Sequence, residues 1–271
     1  MKLYNWPSST GSEFLKPKEF IEYYSNAYYI SRNGKVYKQI KNAKQSSEFI
    51  ENDIDRILQN GIREKTEVFH ILAWKMGGID HKASQLESKK SGTVKYEYNS
   101  PDKNGNQWTE SVDCFTALHR GNVIPNVEKL IDYIIRKTDD WNSLSFNRFE
   151  DAEQFLWDVK YFLLRNQIKY IGPVYLITLL YFVSKGKYPI YDQQAAKALK
   201  AINNVSIKPN DKVEILELPS VESPKFMDTY KKYIESLESL CKDIYGEDEK
   251  KRYQNDRDID RALWVYGHLF K

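Results

Sequence analysis

Residues 168–196, IKYIGPVYLITLLYFVSKGKYPIYDQQAA, constrain the fold more than any other stretch of this chain. The apolar run at 174–183 is too short to cross a bilayer and is apolar on every side, so it reads as a helix buried in a core. Pro173 fits the first position of that helix, where its missing N–H costs nothing. Gly172 before it reads as the residue that permits a tight backbone. The helix should stop near Lys185 and Gly186, and Pro189 punctuates the segment beyond them. Asp192 then precedes Gln193, Gln194, Ala195 and Ala196, which is where an N-cap belongs. It is the only acid between Val159 and Val205.

The rest of the chain surrounds this stretch with helices. Periodic apolar residues predict helices over 17–27, from Asn52 and Asp53 through Leu58 with a break at Gly61, and over 64–75, stopping at Gly77 and Gly78. In the 64–75 helix Val68, Ile71, Leu72 and Met76 share a face. Between 92 and 112 the period changes to two, with Val94, Tyr96 and Tyr98 alternating with polar residues. An Asn104–Gly105 turn comes next, so a β-hairpin is predicted there. From Val127 onward the pattern is helical again. A helix from Phe149 forms the first arm of the hairpin, with Ala152, Phe155, Leu156, Val159, Phe162 and Leu163 inward. Further helices are predicted over 193–202, 224–244 and 256–270, with a loop over 203–223. A length of 271 residues suits one large or two small domains. The expected division is an N-terminal lobe over 1–125 carrying the β-hairpin and a helical lobe over 126–271.

Composition narrows the chemistry. An apolar content of 41% and an aromatic content of 14% place the chain among globular proteins. A net charge of +3 gives no general case for a polyanion partner. Residues 157–205 do, since seven Lys/Arg stand there against Asp158 and Asp192. Cys114 and Cys241 are too few for an iron–sulfur cluster or a cysteine zinc site, so no cofactor is expected. His70, His81, His119 and His268 lack metal-ligand spacing, and each reads as a surface or packing residue. Trp6, Trp74, Trp108 and Trp141 could stack on a base, although most tryptophans are core. Residues 1–7 lack the apolar centre of a leader, and no membrane span is expected, so the expected location is cytoplasmic. The charged run from Asp256 to Arg261 reads as a solvated helix start with local ion pairs.

The stretch from Ile168 to Asp192 resembles the hairpin and following aspartate of the helix-hairpin-helix DNA glycosylase superfamily usually called HhH-GPD. That family carries L-P-G-[VI]-G, a helix, then V-D. Here the hairpin is Ile168, Lys169, Tyr170, Ile171 and Gly172, and Tyr191–Asp192 stands for V-D, 20 residues after Gly172. The final glycine is kept, while Tyr170 replaces the first glycine and Lys169 the proline. Val174 stands where members that also cut the strand carry a lysine. The resemblance implies a mainly α, helix-hairpin-helix, 8-oxoguanine-glycosylase-like fold with a small β element. It implies a monofunctional enzyme that hydrolyses the base–sugar bond of a damaged or modified base in duplex DNA. Asp192 would be the catalytic carboxylate, stabilising the cation that builds on the sugar. Lys169, Tyr170, Ile171, Gly172, Val174 and Lys187 would contact DNA, with backbone N–H groups at the helix start holding a phosphate.

The same residues admit two alternatives. Asp192 alone reads equally as an N-cap worth about 1 kcal/mol. The altered hairpin fits a helix-hairpin-helix protein that binds DNA without catalysis, and the modest net charge fits a scaffold with no DNA contact.

Overall fold

The computed structural model describes residues 1–4, 15–28, 43–75, 126–169 and 171–271, with the backbone of short strands between them. The described residues are mainly helical. In chain order the helices are α1 Pro17–Tyr28, α2 Ala43–Asn60, α3 Lys65–Lys75, α4 Val127–Asn142, α5 Phe149–Arg165, α6 Pro173–Val183, α7 Gln193–Asn203, α8 Lys225–Tyr245 and α9 Arg257–Gly267. Short antiparallel pairings lie between them, the longest joining Lys95–Tyr98 to Trp108–Glu110 with Tyr98 opposite Trp108. The Asn104–Gly105 turn, Gly77, Gly78 and Met76 lie outside the described residues.

The chain divides into two compact units. One is Asn42–Lys187; the other joins Met1–Lys41 to Tyr188–Lys271. The boundary expected near residue 125 thus falls inside the first unit. No composition shift marks the observed division, because the second unit is assembled from the two ends of the chain.

In the Asn42–Lys187 unit α6 is the centre, contacted by α2, α3, α4 and α5. Every residue from Leu176 to Val183 is buried, which explains why its sequence shows no polar face. Helix α5 starts at Phe149 as its sequence predicts, and Phe155, Leu156 and Val159 are buried. Its Phe162 stacks on Tyr133 at 4.0 Å. Helix α2 begins well before Asn52, since its first turns offer only Phe49 and Ile50 as apolar signals. It ends at Gly61, whose φ of +79° favours glycine.

Between α2 and α3 lies a polar network the sequence did not announce. The Asp53 carboxylate meets His70 Nδ1 at 2.9 Å and the Arg56 guanidinium at 2.9 Å, and Arg56 reaches Glu67 at 3.1 Å. Glu67 also accepts from the N–H groups of Arg63 and Glu64, closing the start of α3. Trp74 Nε1 donates to the buried Glu51 at 2.8 Å. His70 is therefore a buried, ion-paired residue rather than a surface one. Burial pushes the Asp53 carboxyl up, but the hydrogen bonds and charges of His70 and Arg56 outweigh it and hold it below its usual range. A depressed carboxylate stabilises the fold above its unfolded value and loses that contribution as pH falls through the folded one. Asp53→Ala is expected to cost about 3 kcal/mol, on the order of 10 °C in Tm, and to flatten the acid limb of Tm against pH. Calorimetry across the acid range checks both.

In the other unit α9 packs against α1 and α7. Phe20 and Tyr24 of α1 meet the Tyr266 ring edge-on, each with centroids 5.0 Å from it. Tyr24 and Tyr266 also bind the backbone of the first four residues: Tyr24 Oη donates to the Tyr4 carbonyl, and Tyr4 N–H donates to Tyr266 Oη at 3.2 Å. Helix α9 stops at Gly267, short of the predicted Phe270, because Leu269 leaves it to accept from Asn210 N–H at 2.6 Å. The run at its start is not simply solvated. Arg257 and Arg261 are buried, with Arg261 paired to Asp258 at 3.1 Å and Arg252 to Asp256 at 3.1 Å.

Candidate functional site

The hairpin is built from two helix ends. Helix α5 closes with Ile168 N–H bonded to the Leu163 carbonyl at 2.9 Å across Gln167, whose φ is +55°. That is the left-handed stop usually made by glycine, and a glutamine there gives no sequence signal. Ile168 and Ile171 point into the core, which leaves Lys169 exposed between them. Tyr170 lies outside the described residues. Gly172 is the N-cap of α6, and its carbonyl accepts from Tyr175 and Leu176 N–H. No side chain caps this helix.

Gly172 corrects the sequence reading. Its φ of −88° suits any residue, and a Cβ built there would meet nothing within 4 Å. The protein's own packing does not require glycine at this position. What glycine provides is open space in front of the helix N-terminus, where Pro173 supplies no N–H and Val174 is half-buried. Lys187 is differently placed from the expectation. Its ammonium donates to the Ser145 carbonyl and to Asn147 Oδ1 at 2.9 Å, tying down the segment before α5.

Asp192 belongs to the other unit and is held by tyrosines. Tyr230 Oη donates to the Pro189 carbonyl at 2.6 Å and Tyr233 Oη to Ile190 at 3.0 Å, both from α8. Tyr191 Oη donates to the Leu216 carbonyl at 2.9 Å. Burial raises the Tyr230 and Tyr233 hydroxyls far above their usual range and Tyr191, with help from Asp192, to about 12, so all three remain donors. This clamp fixes the extended backbone that enters α7. Asp192 then caps α7, with Oδ1 accepting from Gln194 N–H at 2.8 Å, and is half-buried. The helix dipole favours its anion.

Three further features escaped the sequence. The Gln194 side-chain oxygen is buried with no hydrogen-bond partner, at a cost of about 1–3 kcal/mol. Gly267 of α9 lies so close to α7 that a Cβ there would stand 1.9 Å from the Gln194 carbonyl oxygen. Trp157, Tyr161 and Leu164 form an exposed stripe on α5 at i, i+4 and i+7, leading toward the hairpin. The tryptophans named from sequence behave otherwise: Trp141 is core and Trp74 serves the polar network. Trp6, His81 and Cys114 lie outside the described residues. Burial pushes the Cys241 thiol up to about 11, which leaves it inert at neutral pH.

Among the described residues no cluster of His, Cys, Asp or Glu could hold a metal ion, and no helix is long and apolar enough to cross a membrane. The chain matches no protein-family model, no curated protein and no solved structure.

Proposed function

We propose that this protein is a DNA glycosylase that hydrolyses the bond between a damaged or modified base and its sugar. The observation that carries the reading is Asp192: a half-exposed carboxylate fixed at a helix N-terminus, 20 residues after a hairpin whose helix start is open. Departure of the base leaves positive charge on the sugar, and a preorganised carboxylate stabilises it without reorganising. Water then adds at C1′, completing hydrolysis with no covalent enzyme intermediate. Val174 offers no amine for a Schiff base, which supports the monofunctional form. On the hairpin, the N-terminus of α6 and exposed Lys169 suit a phosphate, and the missing Gly172 side chain leaves room for it.

Base release from duplexes carrying oxidised, alkylated and hypermodified bases, read by mass spectrometry beside Asp192→Asn, tests the reading. A released base that disappears in the variant supports it. Intact binding with no release from either protein favours the non-catalytic DNA-binding protein, to which Lys169 and Tyr170 in the hairpin already point.

The glycine provides a separate test of the interface. Gly172→Ala is expected to leave Tm within about 1 °C, because the added methyl group meets only solvent. The same change should weaken duplex binding several-fold, and Lys169→Glu should weaken it further and flatten its salt dependence. Fluorescence anisotropy over a salt series measures both. Unchanged binding in the two variants would remove the hairpin from the interface.

A further inference from the structure

The last turn of α9 lies against the first turn of α7. With a Gly267 Cβ position only 1.9 Å from the Gln194 carbonyl oxygen, the two backbones touch two residues from Asp192. His268 follows Gly267 and caps the end of α9. Its Nδ1 lies 2.8 Å from the Trp264 carbonyl oxygen. A carbonyl only accepts, so Nδ1 carries the hydrogen, and in the neutral ring Nε2 is an acceptor. The Trp264 indole packs on the ring at 4.4 Å, which restricts its rotation.

The charges that act on this ring come from α7 and its cap. Burial disfavours the imidazolium and dominates; the Trp264 carbonyl and Asp192 favour it, while Lys197 opposes it, and the balance lies below the usual histidine value. From α1, the other helix against α9, Tyr28 meets the Trp264 ring at 5.4 Å. The turn at Arg252–Gln254 meets α9 at its opposite end, where Arg252 is paired with Asp256.

We propose that His268 is a positioning residue for Asp192, the two forming an electrostatic couple across the α7–α9 contact. The neutral ring leaves the carboxylate's charge to a cation building on the substrate, and the protonated ring takes that charge up. The consequence for catalysis rests on the glycosylase reading; the couple itself does not. Base release should therefore fall on the acid side as His268 protonates, before the carboxylate itself is neutralised. Folding carries the same sign. A histidine with a depressed folded value makes the unfolded state bind the proton more readily, so stability falls as pH drops below the ordinary histidine range.

An NMR titration of the imidazole signals in the full chain decides the couple. There are four histidines, and His268→Gln identifies the relevant signal. Asp192→Asn should move the His268 midpoint down and Lys197→Gln should move it up. Asparagine also caps helices, so the first change tests charge with the local fold kept. A midpoint unmoved by Asp192→Asn overturns the proposal. The pH profile of base release then tests the role in the reaction. Wild-type release should decline on the acid side where His268→Gln does not, and identical acid limbs would overturn that role. If wild-type protein releases no base from any duplex, the glycosylase reading fails, while the titration still decides the couple.

Discussion

Asp192→Asn is expected to lower base release by about 10²–10³ while leaving the protein folded. The separation of the two effects comes from the geometry. The carboxylate serves α7 through one oxygen, which accepts from Gln194 N–H at 2.8 Å, and an asparagine oxygen can make the same bond. The amide lacks the negative charge that the sugar cation requires. Asp192→Ala should lose both, adding about 1 kcal/mol of instability to the catalytic defect. Single-turnover base release together with a thermal melt of each variant separates the contributions. Full release by a well-folded Asp192→Asn protein would remove Asp192 from the chemistry and leave it as a cap.

A second large effect is expected at Gly267. Alanine there would place its Cβ 1.9 Å from the Gln194 carbonyl oxygen and 2.5 Å from the carbonyl carbon. Those are backbone atoms, which cannot swing aside as a side-chain tip would. Helices α7 and α9 must move apart, so the cost belongs at the upper end of overpacking, about 3 kcal/mol or more, on the order of 10 °C in Tm. The first turn of α7 carries Asp192, so displacement should also lower base release in whatever fraction remains folded. Gly172→Ala is the matched control, because the same added methyl group meets open space. Equal Tm for Gly267→Ala and wild-type protein would show that the helices do not approach this closely.

The legible parts of this molecule were those whose signals are local. Pro173 beside a run with no polar face announces α6, and Asp192 before four short or flexible residues announces a cap. Helix α5 begins at Phe149 because its inward residues repeat at helical spacing. What stayed hidden depends on distant partners. Tyr230 and Tyr233 hold backbone atoms 41 and 43 positions away, and nothing around those tyrosines hints at it. Gln167 adopts a glycine-like conformation without being glycine, so the stop of α5 left no mark. Gly172 drew attention as a turn residue, whereas Gly267, the glycine that the packing demands, sits inside a helix. The division into units was hidden for a similar reason, since its second member draws on both ends of the chain.

The joining of α1 to α9 has a consequence for how the molecule is made. Tyr4 and Tyr266, which bond to each other, are 262 positions apart. At ordinary ribosomal speeds that distance takes on the order of half a minute to synthesise. Throughout that interval Phe20 and Tyr24 have no Tyr266 to pack against, while Asn42–Lys187, a contiguous stretch, can complete its own core. The earliest helix to emerge is thus among the last to be covered, and a nascent chain stalled before residue 257 presents bare aromatic rings to chaperones and proteases. The carboxylate at the start of α7 gains its neighbouring helix only with that final closure, so no shorter intermediate carries an assembled Asp192 site.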